Sequence, residues 1–351
     1  MTPRSTRSRS THRRLHGVER LPGLTIDSYN LVLRDPERGG FLGDRASQTA
    51  FRELLHEARR VHRTGKDPFG RTHSDALSKR DIDLVLIGGD ADASHLVHIA
   101  VEEYARRLVE VVQRFRASPE WSGVKRIVLG GGLPESRAGQ LAIRRAARLL
   151  KVERSGVDLF VLRHDPDEGG LLGWVQLLPA PYRRHDAFLA VDVGGTNLRC
   201  GIVEPRLREA GDGSRARVVE SLQWRHAEDD PDRAEAIARL AGMLNGLAAL
   251  ARTIGLRLAP FVGIACPGRI ERDGRIAQGA QNLPGDWQAP FSLPDELRSR
   301  LDRIGGKAAV VAMHNDAVVQ GLSERPRMRN ATRWGVLTIG TGLGNASFTN
   351  L

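Results

Sequence analysis

The stretch FLAVDVGGTNLRCGIVEP, Phe188 to Pro205, decides how this 351-residue chain is read. Two apolar runs flank a Gly-Gly-Thr turn, and a single acid, Asp192, stands two residues before the first glycine. Runs of that length joined so tightly predict a β-hairpin rather than a strand running into a helix. Gly194 and Gly195 allow the backbone to approach an oxyanion, and successive N–H groups turned one way make an anion-binding concavity. Thr196 adds a hydroxyl and Asn197 an amide. Asp192 would hold Mg²⁺, or its water shell, against phosphates. A plain hairpin turn with a capping Asp accounts for the same residues. The dinucleotide fingerprint does not, because it needs G-x-G-x-x-G opening a helix.

IGTGLGN, Ile339 to Asn345, repeats this chemistry with Gly340, Thr341, Gly342 and Gly344 between two further strands. Two such turns would grip a polyphosphate from both sides. VLGGGLPES places Gly130, Gly131 and Gly132 between a strand and a helix, where a nucleoside could approach closely; a helix-packing turn is the competing reading. In AMHNDAVV an apolar strand ends on Asn315 and Asp316. A carboxylate there would accept a sugar hydroxyl proton as the oxygen attacks phosphorus, although Asn-Asp before a helix also reads as an ordinary cap. QNLPGDW offers Asn282 to a polyol and Trp287 to a sugar face; a proline turn with a buried Trp is equally compatible. The histidines, His314 among them, show no ligand spacing.

The rest of the chain alternates helical and strand patterns. Residues 46–64 read as an amphipathic helix, Asp90 to Ser94 offer caps for a long helix running to about Phe115, and GGLLGWVQLL reads as a short buried helix or strand. DRAEAIARLAGMLNGLAALARTI is a strong helix and PFVGIACPG a buried strand. Such alternation predicts sheets covered by helices.

Composition narrows the class. Hydrophobic content of 40% supports an ordinary core. No apolar run approaches the roughly 18–20 residues of a bilayer span, and no secretory h-region opens the chain. A cytoplasmic protein without membrane contact is expected. Cys200 and Cys266 lie in apolar runs and read as buried thiols. Of the net charge of +11, residues 1–20 contribute +5, from six arginines against Glu19. That Arg/Ser tail is expected to be disordered, and it also resembles an organelle transit peptide. Only five of 53 basic residues are lysine, a bias resembling nucleotide-composition pressure more than a nucleic-acid patch.

Together AVDVGGTNLRCGIV, VGIACPGRI, GRIAQGAQNLPGDW, HNDAVVQGLSE and LTIGTGLGNASF resemble, in order, the motifs of ROK-type sugar kinases in the hexokinase/actin-like ATPase superfamily. The resemblance covers about Phe188 to Asn350. In that family the first phosphate loop stands near the N-terminus, and a long helix, a G-G-G adenosine turn and a closing helix follow the second loop. Here those closing elements come first, which implies a circular permutation joined at residues 181–187. Two family features are missing, an E-x-G-H sugar segment and a zinc cluster, both of which would lie just after the second phosphate loop, where this chain stops. His314 stands where the family often has Glu.

The resemblance implies an α/β, bilobal actin-like ATPase (ribonuclease H-like) fold, circularly permuted, with two lobes around a nucleotide cleft. Residues 1–20 would be the basic tail, 21–80 a helical addition, 81–185 and 326–351 the second lobe, and 186–325 the first. ATP with Mg²⁺ would bind at Asp192, Gly194 to Asn197, Gly340, Thr341, Gly342 and Gly344, with adenosine at Gly130 to Gly132. A hexose would bind at Asn282, Asn315 and Asp316, with Asp316 as general base. The partners are then a small sugar and a nucleotide, with a homodimer left open. The alternatives are a sugar-sensing regulator without kinase activity and a polyphosphate-dependent glucokinase.

Overall fold

The computed structural model describes residues 15–37, 39–61, 67–288 and 290–351. It divides into two compact units: Met1–Asn30, Arg163–Asn330 and Phe348–Leu351 form the first, and Leu31–Leu162 with Ala331–Ser347 the second. The part of the expected tail in residues 1–14 lies outside the described residues.

The first unit is organised on a five-stranded sheet in the order Val310–Asn315, Leu258–Cys266, Ala187–Val193, Leu198–Glu204, Arg217–Trp224. The first three strands are parallel, and the expected hairpin supplies the antiparallel pair, Val193 opposite Leu198. Successive side chains of a strand point to opposite faces. Accordingly Leu189, Val191 and Val193 enter one core with Leu240, Leu244 and Leu247 of the helix Arg233–Thr253. Phe188 and Ala190 face the other way, against Leu171, Trp174 and Val319. Asp192 continues that second row, so its carboxylate points to the side covered by the helices Pro166–Leu172 and Asp316–Ser323.

The sheet explains why this unit reaches beyond residues 186–325. GGLLGWVQLL folds as the helices Pro166–Leu172 and Trp174–Leu177, whose buried Leu171, Leu172, Trp174 and Val175 cover the even-numbered face of Ala187–Val193. These residues therefore group with the hairpin and not with residues 81–162. The end of the expected tail also belongs here. Leu15 packs on the same core, His16 is 7% exposed, and Arg20–Leu21 pairs with Leu24–Tyr29. Residues 21–80 are thus more than a helical addition, because they open with a strand.

Among the described residues one helix, Arg233–Thr253, is long and apolar enough by length and composition to cross a membrane, with a mean hydropathy of 1.2 over 18 residues. Its apolar positions Ile237, Leu240, Leu244 and Leu247 fill the core of the first unit, which accounts for that hydropathy.

In the second unit the parallel strands Arg333–Ile339, Arg126–Gly130 and Asp158–Val161 pair in that order, with the start of Leu343–Asn350 beside the first. The helices Gln48–Val61, Ala91–Ala117 and Arg137–Val152 bury Leu55, Tyr104, Leu108 and Ala142 against Ile127, Leu129 and Leu337. Residues 82–87, an apolar run in the sequence, are part of the helix Lys79–Gly88. Ile82 is buried there while Leu84 and Ile87 are exposed.

Candidate functional site

In the first unit the carboxyl ends of the three parallel strands gather the polar residues. Ligands of open α/β sheets bind at such ends, because the strands stop and the following loops diverge. Asp192 is the penultimate residue of one strand, and Asp316 follows directly on another. Asp192 is 14% exposed; burial, opposed by Arg199 and reinforced by Asp316 and Asp167, pushes its carboxyl up to about 7. Asp316 is half-buried, and burial pushes it up to about 6 against the hydrogen bonds it receives from the helix start and from Asn315. A carboxylate poised in this range can both take and return a proton near neutral pH. The Cys266 thiol, at the end of the intervening strand, is raised well above its ordinary value by burial and then by both acids.

Gly194 to Asn197 form the hairpin turn, closed by the Gly194 N–H donating to the Asn197 carbonyl at 2.9 Å. His226, 3% exposed, lies 2.8 Å from the Gly194 carbonyl through Nε2, and Gln223 donates to the Asn197 side chain at 3.1 Å. A Cβ on Gly195 would sit 3.1 Å from Cβ of Asn282, so the two loops touch at this glycine. Asp192, Gly194 to Asn197, Asn282 and Asp316 thus belong to one end of one unit. Thr196 is half-buried and Asn282 exposed.

Two residues take structural duties instead. Asn315 is 2% exposed; its Oδ1 accepts from the Val318 N–H at 3.2 Å and its Nδ2 donates to the Gly268 carbonyl at 2.9 Å. It caps the helix that begins with Asp316, so its amide is engaged by the chain and not offered to a sugar. Trp287 is 1% exposed, donates to the Pro284 carbonyl and meets Phe291 edge-on. The proline turn with a buried Trp is what forms.

Sequence reading passed over Asp167 and Arg199. Arg199, opposite Asp192 in the hairpin, forms an ion pair with Asp167 and lies 3.9 Å from Asp192. A Cβ on Gly170 would fall 2.5 Å from Cγ of Asp192, so the helix Pro166–Leu172 backs directly onto this carboxylate. The signal was the acid-rich DPDEGG start of that helix, with its pair of glycines.

The second unit brings the other glycine turns together. Gly131 has φ of +78°, and a Cβ there would meet the Ile339 oxygen at 2.6 Å, so the G-G-G turn is wedged against the strand leading to Gly340. Around it, the Gln48 N–H donates to the Gly340 carbonyl at 2.9 Å, the Thr49 hydroxyl to the Thr341 carbonyl at 3.1 Å, and Lys79 to the Gly132 carbonyl at 3.1 Å. Lys79 also forms an ion pair with Glu135. Ile339, Gln48 and Lys79 thus lie directly beside Gly131 and Gly132. Thr341 is exposed; Gly340, Gly342 and Gly344 are half-buried.

The donor set at Asp192 fits a magnesium ion in one respect. Hard carboxylate oxygens are the right ligands, but among the described residues no group of three or more His, Cys, Asp or Glu is arranged to hold a metal. Asp192 alone suits an ion whose other ligands are water and phosphate oxygens.

No family model matches the chain, and no curated protein does. Solved structures similar to it include a ROK family glucokinase from Streptomyces griseus in complex with glucose and AMPPNP, 19% identical over 47% of this chain and 45% of that one, TM-score 0.33. A candidate N-acetylmannosamine kinase from Listeria monocytogenes is 22% identical over 47% of each chain, TM-score 0.33. An exopolyphosphatase from Cytophaga hutchinsonii is 17% identical over 46% of this chain and 51% of that one, TM-score 0.28. This chain thus spans about half the length of each of these structures.

Proposed function

We propose that the chain is a sugar kinase that transfers the γ-phosphoryl group of ATP to a hexose hydroxyl. The observation that carries this reading is the placement of Asp192, Asp316 and the Gly194–Asn197 turn at one end of one parallel sheet, with Asn282 beside Gly195. Asp316 accepts the proton of the attacking hydroxyl, and its raised proton affinity matches that task near neutral pH. The turn N–H groups beyond Gly194, together with the Thr196 hydroxyl, bind phosphate oxygens, where backbone donors already in place stabilise the charge that moves in the transition state. Asn282 binds sugar hydroxyls. Asp192 would hold the water shell of Mg²⁺, which would supply positive charge against the phosphates.

In the second unit the residues assigned to the nucleotide are Gly340, Thr341, Gly342 and Gly344, with the adenosine beside Gly130 to Gly132. An adenine there has to displace the Lys79 side chain, whose flexible end can move. The order of the motifs along the chain supports a permuted form of the actin-like ATPase fold, and the reading is of a cytoplasmic enzyme.

The test is a coupled assay over a hexose panel with ATP and with polyphosphate as donors. Turnover with ATP and one hexose supports the proposal. Turnover with polyphosphate alone reassigns the donor, and no turnover combined with salt-sensitive DNA binding supports a regulator.

A further inference from the structure

We propose that the segment His16–Val18 is a strap that positions Asp316, and that His314 is the residue through which it acts. The proposal deepens the reading of Asp316 as general base and rests on it.

Val310–Asn315 is the edge strand of the five-stranded sheet. An open edge presents unpaired N–H and C=O groups, and proteins cover such edges. Here the cover is the strap: the Gly17 N–H donates to the Met313 carbonyl at 3.1 Å, and the Met313 N–H donates to His16 Nδ1 at 3.1 Å. The next residue, His314, is fully buried. Its Nε2 lies 2.9 Å from the Val18 carbonyl, which can only accept, so Nε2 carries the proton. Its Nδ1 then accepts from the Asn315 N–H at 2.8 Å. Both ring nitrogens are committed in one neutral tautomer, and burial lowers the ring to about 4, so it stays neutral at working pH.

The bonds continue to the acid. Asn315 caps the helix whose first residue is Asp316 and ties it to Gly268. Fixing His314 therefore fixes the Asn315 backbone, the cap and the direction of the Asp316 carboxylate. The strap itself is built to its place. Gly17 has φ of +55°, and a Cβ there would lie 2.7 Å from the Ile270 oxygen, so only glycine fits. Tyr29 closes the far side, edge-on to the His314 ring at 5.4 Å, with its hydroxyl donating to Ile270 at 3.1 Å. His314 is fully buried and both ring nitrogens are engaged, so it is a positioning residue. A general base displaced by about 1 Å loses on the order of 10²-fold in rate, which is the scale on which such a strap matters.

The experiment compares wild type with His314→Phe, which keeps ring volume and loses both bonds, and His314→Gln, whose amide can still donate to Val18. Full-length protein is used throughout. Expected for His314→Phe is a fall in kcat of about tenfold or more at unchanged KM for the sugar, with His314→Gln recovering most of it. Wild-type kcat in His314→Phe overturns the proposal, and so does an equal fall in His314→Gln. If the phenylalanine variant does not fold, Gly17→Ala disturbs the strap without touching the strand; an unchanged kcat there overturns the proposal equally. Should wild type phosphorylate no hexose, the kinase reading fails by itself. The strap is then judged by ¹³C titration of the Asp316 carboxyl and exchange of the Asn315 amide: a shifted midpoint with faster exchange in a folded variant upholds it, and no change in either sinks it.

Discussion

Asp192 and Asp316 are separated by a single strand: Asp192 lies opposite Ala265, Ala265 lies opposite His314, and Asp316 follows two residues later. With strands about 4.8 Å apart, two steps across the sheet amount to about 10 Å between backbones, a gap that two carboxylates reaching inward can share with a phosphoryl group. The Asp316 charge is one of the causes that raise Asp192. Asp192 therefore feels the ionisation of Asp316.

Asp316→Asn removes the base and keeps the shape. Turnover should fall by about 10²- to 10⁴-fold with the sugar KM little changed, because proton transfer is lost while binding is not. Steady-state kinetics on the hexose found in the panel decide this; near-normal kcat removes Asp316 from the chemistry.

The pair also sets the pH profile. Asp316 must be ionised to accept a proton, so kcat/KM should drop as pH falls through the window between about 6 and about 7, where the two acids are held. Arg199 is the cation that lowers Asp192, so Arg199→Met should move this acid limb to higher pH. A limb that stays at pH 4, or one that does not move in the variant, contradicts the assignment.

Stability should respond in the opposite sense to the usual carboxylate. The folded state binds the Asp192 proton more tightly than the unfolded chain, raising the group from 3.8 to about 7. Ionisation therefore costs stability as pH rises through that window, and below about pH 4 the cost is absent. Asp192→Asn should melt higher than wild type at pH 8, by on the order of 1–3 kcal/mol, with the gap closing towards pH 4. Calorimetry at both pH values checks it.

What the sequence made legible and what it hid differ by the distance over which residues act. The hairpin at 187–204, the strand Leu258–Cys266 and a capped helix start within 90–94, where Asp90 takes the cap, follow from neighbours within a few positions, since period, turn chemistry and capping are local. The ion pair of Arg199 with Asp167 joins residues far apart in the chain, and nothing near either one announces the other. The neighbours of the Gly130–Gly132 turn were hidden for the same reason: Gly131 and Gly132 sit against Ile339, Gln48 and Lys79, all distant in sequence. Asn315 was identified by both of its patterns, sugar contact and cap, and only its burial shows which one the fold uses.

Gly131→Ala tests that packing. Positive φ and an Ile339 oxygen 2.6 Å from the new Cβ leave no relaxed position for the methyl group. The second unit should lose about 1–3 kcal/mol, read from a denaturant midpoint; a wild-type midpoint means the turn is open.

Gly170→Ala separates the site from the scaffold. In the interior of a helix this change ordinarily stabilises by about 0.5–1 kcal/mol, because alanine loses less entropy on folding. In Pro166–Leu172 the added methyl meets the Asp192 carboxylate at 2.5 Å, and the side chain has to turn away from the Gly194–Asn197 loop. Folding energy gained in the helix then offsets the crowding, so the melting temperature should stay near that of wild type while activity falls about tenfold or more and the Mg²⁺ requirement rises. Gly263→Ala is the control for simple overpacking. Its Cβ would lie 2.2 Å from the Trp174 ring, within the same core and away from any carboxylate contact, so it should cost stability by about 1–3 kcal/mol or more. If Gly170→Ala instead melts early with an unchanged Mg²⁺ titration, the helix supports the sheet only and Asp192 has no metal to hold.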